Sequence, residues 1–137
     1  MSTVQIQLPY PHPAQIQVIQ GRKRWNVVDC GRRWGKTLLG VNLIVEAALA
    51  GKPCGWFAPG YKYLLEPWME LKRVLKPLAV RVNEVDKRVD LITGGYVEMW
   101  SMDSVDAGRS RGYAFVVIDE AALVRSLDAA FSESIRP

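Results

Sequence analysis

The stretch from Trp25 to Ala50 constrains the fold more than any other. Trp25 to Asp29 is a short apolar run bounded by turn residues, which predicts a buried strand, and Lys36 to Ala50 is free of proline with apolar residues at helical spacing, which predicts a helix. Between them stands CGRRWGKT. A strand that runs through a glycine-bearing loop directly into a helix builds a phosphate cradle, because backbone N–H groups and the helix N-terminus converge there, glycine permits close approach and lysine neutralises charge. Gly31, Gly35, Lys36 and Thr37 supply those parts. On this reading Gly35 opens the helix, Lys36 reaches the β and γ phosphates of a nucleotide, and Thr37 sets its hydroxyl on Mg²⁺. The general pattern wants a glycine five residues before Gly35, where this chain has Cys30. A basic, glycine-bearing turn ahead of an ordinary helix would use the same residues, so the loop needs a second feature beside it.

That feature is Phe115, Val116, Val117 and Ile118 followed by Asp119 and Glu120. Four apolar residues bounded by turn residues predict a fully buried strand, and carboxylates at its C-terminal end reach the crevice where open α/β sheets bind ligands. Asp119 would hold Mg²⁺, directly or through its water shell. Glu120 would orient and deprotonate a water, which points to hydrolysis rather than transfer to a small acceptor. A solvated strand end is the plain alternative for both acids. From average residue usage, the two motifs arise together by chance, in this order and context, about once in a thousand such chains, and the pairing outweighs the plain readings of each.

The rest of the chain predicts one α/β domain. Pro9, Pro11 and Pro13 make the start an extended lead-in, Ala14 to Gln20 can form a short helix, and Gly55 to Ala58 reads as a second strand ending at Pro59. Tyr61 to Leu75 reads as an amphipathic helix interrupted or kinked near Pro67, with Tyr63 and Trp68 on its core face. VRVNEV, RVDLIT and YVEMWS, separated by DK and GG, predict a small antiparallel meander. Asp103 to Gly112 is a polar loop, and Ser126 can cap a last helix toward Ile135. Trp25, Trp56 and Trp100 fall in predicted strands and read as core. Cys30 and Cys54 form neither a disulfide framework nor a metal quartet, His12 has no ligand at useful spacing, and no apolar run is long enough to span a membrane. These features predict a cytoplasmic protein. The net charge of +4 permits phosphate-rich partners without requiring them.

Taken together these residues resemble the N-terminal ATPase domain of the large terminase subunit of tailed bacteriophages, the motor that packages viral DNA. The resemblance runs through PHPAQIQVIQ, GRRWGKT, FAPGYKYL, SMDSVDAGRSRGY, and VVIDEAA followed by SIRP. That family often lacks the first loop glycine and uses an arginine-rich loop, which accommodates Cys30. The resemblance implies a P-loop NTPase of the additional-strand, catalytic-glutamate type, with a central, mainly parallel sheet flanked by helices. It implies ATP and Mg²⁺ as cofactors, Trp34 within the nucleotide loop, and Arg32 or Arg33 as the sensor of the γ-phosphate. It matches Gln15 to a glutamine that reads adenine, although Gln17 or Gln20 can fill that place and an ordinary surface glutamine fits equally. Arg109 and Arg111 lie where such motors keep an arginine that completes a neighbouring subunit's site; a solvated basic loop is the even alternative. Tyr61 and Lys62 can face DNA.

The implied partners are double-stranded DNA, a portal protein, a small terminase subunit and further copies in a ring, at the procapsid portal in the host cytoplasm. In the resembled family another strand follows the acidic one and lies between the two motif-bearing strands, and a nuclease domain comes later. Residues 1–137 are therefore expected to be a partial ATPase domain, incomplete at its C-terminus and without the nuclease. Two other readings stand beside this one: a helicase-like nucleic-acid translocase, which shares both motifs, and a non-catalytic remnant that binds nucleotide or a partner without turnover.

Overall fold

The computed structural model describes residues 11, 13–21, 35–103, 107 and 111–123. The strand expected at Trp25–Asp29, the loop residues 31–34 and the helix expected after Ser126 lie outside them.

Helix α1 covers Pro13–Gly21 and begins on proline, whose missing N–H is no loss in a first turn. Helix α2, Lys36–Leu49, buries Leu39, Val41, Ile44, Val45 and Ala48. Its end is set by Gly51 at φ +85°. The Gly51 N–H donates to the Ala48 carbonyl (3.0 Å) and the Lys52 N–H to that of Ala47 (3.2 Å), the paired bonds of a Schellman motif. The chain then enters strand β1, Pro53–Ala58, in which every residue from Cys54 to Ala58 is buried. A strand covered on both faces needs a continuous apolar run, and CGWFA provides it.

Helix α3, Leu65–Leu75, follows a short 3₁₀ turn at Tyr61–Tyr63. The segment is interrupted rather than continuous, but ahead of Pro67: the 3₁₀ turn ends at Tyr63 and the α-helix starts at Leu65, later than the periodicity suggests. Pro67 falls in the first turn, where its nitrogen owes no hydrogen bond. Trp68 is buried and Tyr63 packs partly against the same core, as expected.

The meander is strands β2 (Ala79–Asn83), β3 (Arg88–Leu91) and β4 (Tyr96–Ser101). Its first turn closes on Asn83, whose side-chain oxygen accepts from the Val85 and Asp86 N–H groups, both at 3.0 Å. Its second turn uses Gly94 at φ +89° and Gly95, where a Cβ would lie 2.1 Å from the Ala48 carbonyl oxygen. Such tight turns allow only antiparallel pairing. Strand β5, Phe115–Ile118, completes a five-stranded sheet of order β2-β3-β4-β1-β5.

Two expectations need correction. The sheet is mixed rather than mainly parallel: β1 pairs in parallel with β4 and β5, while β3 pairs antiparallel with β2 and β4. The meander is antiparallel as expected, and β4 joins β1 so that it extends the main sheet. Strand β5 is half-buried along its whole length rather than fully buried, for among the described residues it pairs with β1 alone.

Helices α2 and α3 cover one sheet face, with Ile44, Val45, Trp56, Trp68, Leu71, Val89 and Val97 in the core. On the other face Phe57, Ala107 and Tyr113 form a smaller cluster with Tyr96, Trp100, Val116 and Ile118. Cys54 sits in the first core, and burial pushes its thiol up to about 12 from 9.0, outweighing the nearby Lys52 charge. The thiol is therefore expected to resist alkylation at pH 8 in the folded protein and to react on unfolding, as peptide mapping after iodoacetamide would show. Because the fold holds the proton more tightly than the unfolded chain does, this group leaves stability unchanged below about pH 9 and erodes it as the pH rises toward about 12.

Candidate nucleotide and metal site

The site is organised around Gly35. This residue is the N-cap of α2 at φ +80° and ψ +33°, a left-handed conformation that side chains disfavour. It is also crowded. Gln15 of α1, itself buried, donates its Nε2–H to the Gly35 carbonyl at 2.9 Å, and a Cβ on residue 35 would sit 2.6 Å from that nitrogen. The same carbonyl accepts the Leu39 N–H at 2.9 Å. Glycine is thus required here both by backbone conformation and by the approach of α1. The Gly35 N-cap makes no side-chain hydrogen bond to the helix that follows, whose first-turn N–H groups a helix cannot satisfy internally.

Lys36 and Thr37 occupy the first two positions of α2. The Thr37 hydroxyl donates to Asp119 Oδ2 at 3.2 Å, joining residues 82 apart in sequence. Asp119 is delivered by the sheet: its N–H donates to the Phe57 carbonyl at 2.8 Å and carries the β1–β5 ladder one step past Ile118. Burial raises the Asp119 carboxyl above the ordinary carboxylate range, with the neighbouring Glu120 charge pushing the same way; the bonds from Thr37 and the Glu120 N–H and the Lys36 charge pull it back. A desolvated carboxylate beside a hydroxyl attracts a hard cation. Two protein oxygens suit Mg²⁺, which keeps several waters, and the described residues hold no denser cluster of metal-ligating side chains. The pair fits the metal that the motifs call for.

Glu120 turns the chain out of the strand at φ +52°. A non-glycine residue in this region is uncommon and costs about 1–3 kcal/mol, which the surrounding structure must offset. The Glu120 N–H donates back to Asp119 Oδ1 at 3.0 Å, and its carbonyl accepts the Leu123 N–H at 3.0 Å, starting a 3₁₀ turn over Ala121–Leu123. The strained turn leaves the Glu120 side chain exposed beside Asp119.

Arg111 lies elsewhere. Its Nε–H donates to Glu98 Oε1 at 3.0 Å. Tyr113, which shares that Glu98 oxygen, packs on the sheet face opposite the one covered by α2. Gly31, Arg32, Arg33, Trp34 and Arg109 are outside the described residues. Sequence reasoning missed the packing role of Gln15 on Gly35 and the buried Glu98. The signal for Glu98 was its place in YVEMWS, where alternation puts it on one face with Tyr96 and Trp100.

Comparison with known proteins adds one relation to this geometry. No family model matches the chain, and no solved structure does. The chain spans about a third of the length of the curated relative it matches. That relative is the "Terminase, large subunit" of Escherichia phage T5, to which this chain is similar at 26% identity over 135 residues, covering 93% of this chain and 31% of that protein.

Proposed function

We propose that this chain binds ATP with Mg²⁺ and hydrolyses it, as the ATPase part of a motor that packages phage DNA. The observation that carries the reading is the Thr37–Asp119 hydrogen bond, which brings the two motifs into one site. The similarity to a phage terminase large subunit supports the packaging context. Gly35 and the first turn of α2 receive the phosphates, and Lys36 neutralises them. Thr37 and Asp119 hold the metal, which when bound shields the phosphate charge that builds up during transfer. Glu120 orients the attacking water and takes its proton. Arg32 or Arg33 senses the γ-phosphate, Gln15 contacts adenine from its place beside Gly35, and Arg109 or Arg111 serves a neighbouring copy. Double-stranded DNA, a portal protein, a small terminase subunit and a homo-oligomeric ring complete the assembly.

Phosphate release from ATP, measured with Mg²⁺ and with or without double-stranded DNA, tests this. Lys36→Ala is expected to weaken ATP binding about 10- to 100-fold, the effect of losing one charge-assisted contact. Turnover that survives unchanged in Lys36→Ala, or no turnover in any condition, would sink the proposal.

A further inference from the structure

The strand that carries Asp119 is an edge strand of the described sheet. It holds β1 through four register pairs, Cys54 with Phe115 to Phe57 with Ile118, and its residues are only half-buried. Register is weakly specified where burial is weak, and a slip of one residue would turn Asp119 to the opposite face, away from Thr37. A slip of two would carry it about 6.6 Å along the sheet. Phe115 and Val117 pack on one apolar cluster and Val116 and Ile118 on the other, and contacts at the strand's entry add to that hold.

The fixing point lies at its entry. Glu98 of β4 is 4% exposed and is the one carboxylate among the buried described residues. Its Oε1 accepts the Tyr113 hydroxyl and the Arg111 Nε–H (3.0 Å), and its Oε2 faces an Arg88 terminal nitrogen at 3.7 Å. The Tyr113 hydroxyl accepts in turn from Trp100 Nε1 at 2.6 Å. The Tyr113 ring lies directly over β1, since a Cβ on Gly55 would sit 2.8 Å from it, and it meets the Phe57 ring edge-on at 5.9 Å. One residue later the Ala114 N–H donates to the Pro53 carbonyl at 2.9 Å, and β5 begins. Glu98 therefore holds Tyr113 from across the sheet, over a strand whose glycine leaves room for the ring.

We propose that Glu98 is a positioning residue for Asp119, acting through Tyr113 to lock the register of β5 so that the carboxylate meets Thr37. The catalytic consequence rests on the ATPase reading above; the register lock itself does not. Two measurements on Glu98→Ala, Glu98→Gln and Tyr113→Phe separate them. The first is amide exchange. Tyr113→Phe keeps the ring over Gly55 and removes only the hydroxyl, and it is expected to speed exchange of the Asp119 N–H at least about tenfold while the Met99 and Leu91 amides of the meander stay within about twofold. Glu98→Ala should do the same, and Glu98→Gln, which keeps an oxygen for Tyr113, should restore part of the protection. The second is the Mg²⁺ concentration for half-maximal ATP turnover, expected to rise several-fold in Tyr113→Phe with Mg²⁺-free ATP affinity unchanged.

An Asp119 amide that exchanges as in the wild type, or meander and Asp119 amides that all accelerate alike, would overturn the proposal. If Glu98→Ala fails to fold, Tyr113→Phe decides. If the wild type turns over no ATP, the ATPase reading fails while amide exchange still decides the lock.

Discussion

Glu120→Gln is expected to lower ATP turnover by about 10²- to 10⁴-fold, the usual contribution of a positioned general base, while leaving ATP binding within about threefold of the wild type. The amide matches the carboxylate in shape and keeps the backbone turn, so it removes the proton acceptor and little else. Glu120 takes no part in the Thr37–Asp119 bond, and its own N–H would still cap Asp119 Oδ1. Binding and turnover should therefore separate, as steady-state phosphate release alongside equilibrium titration would show. A remnant that binds nucleotide without turnover predicts no difference between Glu120→Gln and wild type. A mutant that loses binding as well would mean that Glu120 is a ligand rather than a base.

Trp56→Ala is expected to destabilise the fold by about 3–5 kcal/mol, the range for truncating a buried aromatic. This is a large share of the roughly 5–15 kcal/mol that separates folded from unfolded domains. Trp56 is fully buried in the central strand β1. It also seats α2: a Cβ on Gly40 would lie 2.9 Å from the indole ring and 3.3 Å from Val117. The helix bearing Lys36 and Thr37 thus rests on Trp56 through a glycine that permits close approach. Urea denaturation should show a lower midpoint, and nucleotide binding should weaken further than stability alone accounts for, as α2 loses its seat. A midpoint shift equivalent to less than about 1 kcal/mol would show that α2 and the sheet collapse together to fill the space.

The parts of this architecture that local chemistry dictates were legible in the sequence. The helix from Lys36, the meander with its DK and GG turns, and the apolar strand before Asp119 all follow from periodicity and turn residues, and each is present within a few positions. Partner choice across the sheet was not legible. Nothing within YVEMWS says that its strand will lie parallel to CGWFA, because that pairing is decided by packing between distant segments. For the same reason FVVI, which reads as a strand covered on both sides, is half-buried at the edge of the described sheet. Pro67 shows the converse: its effect depended on where the helix begins, a boundary that periodicity fixes poorly.

The site divides in the same way. Thr37 and Asp119 were assigned to one metal from two motifs, and the structure puts their side chains in hydrogen-bond contact. The contact of Gln15 with Gly35 was not foreseeable, since a glutamine in a short helix carries no sign of what it will touch. Glu98 gave only a partial sign: alternation puts it on one face with Tyr96 and Trp100, but an acid between Val97 and Met99 also reads as the solvent side of the strand until Tyr113 and Arg111 close over it.

The central claim is that Thr37 and Asp119 together hold Mg²⁺ against a nucleotide, and calorimetric titration of ATP into the chain with and without Mg²⁺ tests it most directly. The account predicts that Mg²⁺ tightens ATP binding at least about tenfold in the wild type, as expected for charge-assisted contacts, and that Asp119→Asn and Thr37→Ala each abolish most of that gain while binding ATP alone as the wild type does. ATP affinity indifferent to Mg²⁺ in the wild type, or a full Mg²⁺ effect retained in Asp119→Asn, would contradict it.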